Sequence, residues 1–141
     1  MRRLLKFIPL ILVIIAIVLL TFQDTKGTVN LSEAFKNGLI VIFDRLGMDA
    51  LTGRIDSTIA IRRLGHVIEY FALGLAATIC VRRKRYALLI CVCVSVADQV
   101  IKIFVPGRHF DLNDLAFDAA GYVAGILLGG VLAWFGRRRN L

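Results

Sequence analysis

Cysteine is scarce in this chain, and what there is points away from cysteine chemistry. Cys80, Cys91 and Cys93 are the only three. They lie in or beside apolar runs, so a disulfide framework is not expected, and Cys91-x-Cys93 lacks the spacing of a zinc site. They read as small buried hydrophobes. Also missing are a glycine-rich phosphate loop and a nucleophile set beside a base, which nucleotide-dependent and covalent mechanisms need. Two histidines, His66 and His109, stand among several acids, which permits a metal, but no ligand spacing indicates one. No metal or other cofactor is therefore expected.

What the chain has is hydrocarbon. Its 141 residues are 58% hydrophobic, with a mean hydropathy of +0.77, a balance that describes one integral membrane domain rather than an ordinary soluble one. A hydrocarbon core about 30 Å thick takes about 20 mostly apolar residues to cross, and shorter runs are tolerated through thinning and snorkelling. Four stretches qualify, at 4–22, 64–81, 86–104 and 115–135. The first follows a basic leader, "MRRLLKF", yet no small-x-small cleavage site comes after "LLTFQD", so it is expected to be an uncleaved anchor. Pro9 is acceptable in its first turns, where backbone amides lack internal partners anyway.

Orientation follows from the cations. Arg2, Arg3 and Lys6, then Arg82, Arg83, Lys84 and Arg85, then Arg137, Arg138 and Arg139 flank span ends with no acid among them. Such runs are retained on the cytoplasmic side. A multi-pass protein of the cell membrane with both termini cytoplasmic is expected. The net charge of +8 would suggest nucleic acid in a soluble protein. Here the charge flanks spans, where it anchors to anionic headgroups of membrane lipids, and no nucleic acid partner is expected.

The segment 23–63 is then the extracytoplasmic loop. Its opening "QDTKGTVN" is polar and turn-rich, and Asn30 and Glu33 stand at capping-box spacing ahead of a helical pattern. Leu31, Phe35, Leu39, Ile42 and Leu46 recur every three to four residues, which gives an amphipathic helix that either lies on the outer membrane surface or packs over the span tops. The expected fold is thus all-α: a bundle of four transmembrane helices with an extracytoplasmic amphipathic helix between spans one and two.

Several ionisable residues sit inside these spans. By helical rise, His66 and Glu69 lie about 6 and 10 Å below Arg62, Asp98 about 9 Å below Phe104, and Asp118 about 6 Å below Asp114. They converge on one level near the outer end. His66, Glu69 and Tyr70 share one helix face, as do Asp98 with Lys102 and Asp114 with Asp118. Ionisable groups within spans face a bundle interior or a wet cavity, so an outward-opening polar pocket among spans two, three and four is expected. The inner halves of the spans carry no polar continuation, which argues against transport or a proton path.

Between spans three and four, Pro106-Gly107 breaks the helix and Asp111 or Asn113 can cap the next one. That turn would hold Arg108 and His109 over the pocket mouth. Arg108 either clamps an anion with paired hydrogen bonds or pairs with Asp98, Asp111 or Asp114 to hold the loop. Gly121, Gly125 and Gly129 make a small-residue stripe suited to close helix approach, with Gly74 and Ala77 as a facing surface. Oligomerisation is left open by the sequence.

The run "RRLGHVIEYFALG" followed by "ADQVIKIFVPGRHFDLNDLAFDAAGYVAG" resembles the VanZ-like family of small bacterial membrane proteins, and "TFQD" after the first span is similar to a short polar signature seen there. The resemblance covers nearly the whole chain. It implies a several-span cell-membrane protein whose namesake is associated with low-level resistance to glycopeptide antibiotics, chiefly teicoplanin. It puts functional weight on His66, Glu69, Asp98, Pro106, Gly107, Arg108, Asp114 and Gly121. Three positions depart from the family pattern: Gln99 stands where Glu is usual, Lys102, which could neutralise Asp98 or Asp118, where Gln is frequent, and Asp118 where Asn is. The resulting expectation is a pocket that binds an anionic headgroup or cell-wall precursor, with Arg108 and Lys102 as clamp and His66 and Glu69 orienting it. The alternatives are a hydrolase or transferase acting on a lipid-linked substrate, with His66 and a carboxylate as acid and base, and a structural protein acting through partners.

Overall fold

The computed structural model describes residues 5–22, 25–47, 58–81 and 83–138. Among these it has five helices and no strand: α1 Ile8–Thr21, α2 Thr25–Arg45, α3 Thr58–Cys80, α4 Lys84–Lys102 and α5 Leu112–Arg138. Local sequence explains most of the ends. Pro9 occupies the first turn of α1, where its missing amide costs nothing. Gly47, at φ 68°, follows α2 in the left-handed conformation that closes helices. After α4 the chain turns through Pro106 and Gly107 (φ 76°), with the Arg108 amide bonded to the Val105 carbonyl. Asp111 then caps α5, its carboxylate accepting the Asn113 amide at 2.8 Å.

Two boundaries differ from expectation. α2 begins at Thr25, so Asn30 and Glu33 lie within the helix rather than at its cap; residues 25–30 contain no proline to stop the helix from starting early. α3 begins at Thr58, six residues before the hydrophobic run at 64, because Arg62 and Arg63 disqualify hydrocarbon without disqualifying helix.

The contacts fix the direction of each helix. At one end of the bundle the Cys80 thiol reaches the Lys6 carbonyl, and the Lys84 side chain lies against Gly130. At the other end Thr21 meets Asp98, and Arg62 meets Asp114. α1 and α4 therefore run one way, α3 and α5 the other. All four deliver polar residues to a single end.

The tightest seam joins α3 to α5. Gly74 packs on the backbone of Tyr122, and Gly125 on the backbone of Phe71. A Cβ at Gly121 would stand 2.5 Å from the Val67 carbonyl oxygen and 3.0 Å from the Phe71 amide, and one at Gly129 would stand 2.9 Å from Thr78 Cβ. The glycine stripe thus makes the close helix crossing expected of it, with Gly74 opposite. Around the seam the core is small and smooth: Leu73, Ala76, Ala77, Cys80, Ala87, Cys91 and Ile126 are buried, joined by Leu10 and Ile17 from α1.

The periphery is the reverse of a soluble surface. Ile11, Leu12, Ile15 and Leu19 of α1, Leu88, Leu89, Val96 and Val100 of α4, and Leu127, Val131, Leu132 and Phe135 of α5 are all exposed. An apolar mantle of this extent is what a lipid phase covers. By length and composition, one described helix, over Leu112–Phe135, is long and apolar enough to cross a membrane, and α1 is a shorter apolar helix. α3 and α4 fall short of this by the charges they carry, Arg62, Arg63 and Glu69 on α3 and Lys84, Arg85, Asp98 and Lys102 on α4. α2 packs against α3 yet leaves Phe35, Ile42 and Leu46 of its apolar stripe exposed.

Candidate functional site

α3, α4 and α5 each bring a face of polar residues to the same end, because positions three or four apart share a helix face, and α1 adds a single hydroxyl there. α3 supplies Arg62, His66, Glu69 and Tyr70, and α4 supplies Ser95, Asp98, Gln99 and Lys102. Asp114 and Asp118 come from α5, and Thr21 from the last residue of α1.

Thr21, Arg62, His66, Ser95, Asp98, Lys102, Asp114 and Asp118 form one connected network. His66 Nδ1 lies 2.9 Å from Asp118 Oδ1, and its Nε2 lies 3.4 Å from Asp114 Oδ2. Asp118 takes a second bond from the Ser95 hydroxyl at 2.8 Å. Lys102 Nζ lies 2.9 Å from Asp98 Oδ2 and 3.4 Å from Asp114 Oδ2. The Thr21 hydroxyl donates to Asp98 Oδ1, and Arg62 donates to both oxygens of Asp114 at 3.2 and 3.4 Å. Three carboxylates and one ammonium, buried to 5% exposure or less, are thereby tied to four helices.

Charge is close to balanced. Asp98, Asp114 and Asp118 face Lys102 and Arg62 as fixed cations, one short of neutrality. Both ring nitrogens of His66 face carboxylate oxygens, whereas a neutral imidazole has only one N–H to donate. A protonated His66 satisfies both contacts and completes the balance. Taking such charges out of water is costly unless they are paired and hydrogen-bonded, and this pairing is what lets an acidic cluster sit inside the bundle.

The mouth is cationic. Arg62 has half its side chain exposed (51%) while it holds Asp114. Arg63 lies over the Phe117 ring at 5.3 Å, and His109 is exposed on the α4–α5 turn. Arg108 is half-buried there, within electrostatic reach of Asp98, Asp114, Glu69 and Arg62. Burial lowers the pKa of its guanidinium, Asp98 and Asp114 oppose that shift and Arg62 reinforces it.

His66, Asp98, Lys102, Asp114 and Asp118 are thus drawn into contact. Glu69 sits half-buried within electrostatic reach of His66, Asp98, Lys102 and Asp118. The Tyr70 ring stacks near His66 with centroids 6.4 Å apart. Pro106 and Gly107 shape the turn, while Gly121 and Gly125 set the α3–α5 distance that brings His66 to Asp118.

Of the two places the sequence allowed it, Lys102 takes that of a neutralising partner of Asp98 and not that of an anion clamp. It is 3% exposed and committed to two aspartates, because it lies one turn beyond Asp98 on the buried face of α4. Arg62, Thr21 and Ser95 complete the network without having been singled out in the sequence. Arg62 and Ser95 lie one turn from His66 and Asp98 on the same faces, a signal that helical spacing carries. Thr21 is an isolated hydroxyl at the end of an apolar helix and carries none.

The cluster also brings metal-ligating types together. His66, Asp98 and Asp118 each offer one ligand atom, and these atoms all lie within 4.8 Å of one another. The three come from three helices, so no local spacing could announce them.

Residues 7–133 match the family model described as VanZ/LLP1. No curated protein and no solved structure matches the chain.

Proposed function

The chain belongs to the VanZ-like family, and from that premise we propose that it is a four-span protein of the cell membrane whose polar bundle end opens outward and binds an anionic envelope component, a lipid headgroup or cell-wall precursor. Binding there would contribute to tolerance of teicoplanin-type glycopeptides. The observation that carries this reading is the cationic rim of Arg62 and Arg108 over a buried, paired acidic floor. A guanidinium has five N–H donors. Arg62 uses one nitrogen on Asp114 and keeps half its side chain exposed, so a phosphate or carboxylate can be gripped without dismantling the network.

Orientation is argued from charge. Lys6, Arg83, Lys84 and Arg85 gather at the bundle end opposite the site, and cations near span ends are held in the cytoplasm. The site then faces out. The exposed apolar mantle of α1, α4 and α5 supports lipid on all sides of the bundle. α2, with Phe35, Ile42 and Leu46 exposed, would lie in the outer headgroup layer with these side chains inserted.

Susceptibility tests this reading. Cells expressing the wild type are expected to tolerate more teicoplanin than cells with an empty vector, and Arg108→Ala and Arg62→Ala are expected to remove that tolerance at equal membrane levels. Full tolerance in both variants would exclude the rim as the binding element.

A further inference from the structure

The floor of the site holds more than a set of ion pairs. Three side chains from three helices, His66 on α3, Asp98 on α4 and Asp118 on α5, place one ligand atom each within 4.8 Å of the other two. Asp98 and Asp118 are 5% and 0% exposed. Beside them stands the Tyr70 hydroxyl, wholly buried and without a hydrogen bond of normal geometry. It lies close to Ser95, which itself bonds Asp118, and within electrostatic reach of Asp98 and Asp118. Buried hydroxyls are seldom left without a partner, and a ligand completing the shell of an ion held at this floor would supply one.

We propose that His66, Asp98 and Asp118 bind one divalent transition-metal cation of the zinc class, with the Tyr70 hydroxyl as the outer partner of a ligand completing its shell. One imidazole and two carboxylates make a mixed nitrogen and oxygen set, which suits zinc, manganese or cobalt better than magnesium or calcium. A tetrahedral ion with bonds of about 2.1 Å separates its donors by about 3.4 Å. Binding therefore draws the three side chains together by rotation within a cluster that already touches. The ion takes the place of the proton between His66 and Asp118, since an imidazole must be unprotonated to ligate. Lys102, 2.9 Å from Asp98 Oδ2, shares that carboxylate and keeps the affinity moderate; Asp98 Oδ1, which accepts from Thr21, exchanges that bond for the metal.

The proposal goes beyond the headgroup reading and does not need it, because it concerns the floor and not the arginine rim. The test uses the full chain, purified in lipid nanodiscs with a tag free of histidine, and Co2+ and Zn2+ as probes. Co2+ is expected to bind at one equivalent per chain with visible absorption bands, and Zn2+ to displace it while Mg2+ does not. His66→Gln and Asp118→Asn are expected to lose affinity by more than the roughly 10- to 100-fold that follows loss of an outer partner, and Tyr70→Phe by an amount within that range. His109→Ala, on the exposed turn, is expected to bind as the wild type does. A wild-type protein with no Co2+ band and no retained Zn2+ would overturn the proposal whatever the variants do. So would binding that survives His66→Gln, or that His109→Ala removes. Loss of headgroup retention in Arg62→Ala or Arg108→Ala with metal binding intact leaves this site standing and identifies the rim as separate.

Discussion

Replacing Gly125 with alanine adds one methyl group at the place where α3 and α5 are closest. That Cβ would run into the Phe71 carbonyl oxygen and stand 2.8 Å from the Leu75 amide. Both are helix backbone, which cannot rotate aside, so the seam must open. Overpacking of this kind costs about 1–3 kcal/mol, set against a gain of about 1 kcal/mol from the better helix propensity of alanine. Gly38 on α2 isolates that gain, since nothing lies within 4 Å of a Cβ added there. Gly38→Ala is expected to raise the midpoint of thermal unfolding in nanodiscs or mild detergent, and Gly125→Ala to lower it, by about 2–4 °C per kcal/mol. Gly125→Leu should be worse still. If Gly125→Ala matches Gly38→Ala in direction and size, the α3–α5 crossing described above is wrong, and with it the distance that joins His66 to Asp118.

Further outcomes follow from the buried network. Lys102→Met leaves Asp98 and Asp114 facing each other without their shared cation, a loss expected to cost about 3–5 kcal/mol; thermal unfolding should show it, and adding Asp98→Asn should restore part of the loss, whereas an additive double variant would refute the pairing. Thr21→Val removes the hydroxyl that ties α1 to α4 and is expected to cost about 1–2 kcal/mol. Hydrogen exchange should then rise selectively at the C-terminal turn of α1, and unchanged protection there would argue against the tether.

Much of the fold was legible because helical spacing is. The apolar runs and the Pro106-Gly107 break place α1, α4 and α5 to within a few residues, and the four-residue glycine interval marks the seam that Gly74 and Gly125 form. The depth estimates that bring His66, Asp98, Asp114 and Asp118 to one level rest only on rise per residue. The start of α2 was hidden because Asn30 and Glu33 obey the same spacing inside a helix as at its cap. The start of α3 was hidden because Arg62 and Arg63 read as the end of a span while the helix runs on beneath them.

Within the site, what could be read was which residues share a face, and what could not be read was who meets whom. Lys102 reads either as an anion clamp or as a partner that neutralises Asp98, and the fold decides for the second and adds Asp114. Thr21 gave no sign of its role, because a lone hydroxyl at a helix end is usual. The grouping of His66, Asp98 and Asp118 depends on three separate helices, and no local motif records it.

The most direct test of the central claim is retention of an anionic lipid-linked headgroup by the purified protein in nanodiscs. The wild type is expected to hold a lipid-linked cell-wall precursor more tightly than a zwitterionic phospholipid, with the difference weakening as salt rises. Arg62→Ala and Arg108→Ala should each reduce that preference by about tenfold or more, the loss of a charged hydrogen bond worth about 1.5–3 kcal/mol. Equal retention of anionic and zwitterionic lipid by the wild type, or a preference untouched in both variants, would contradict the account.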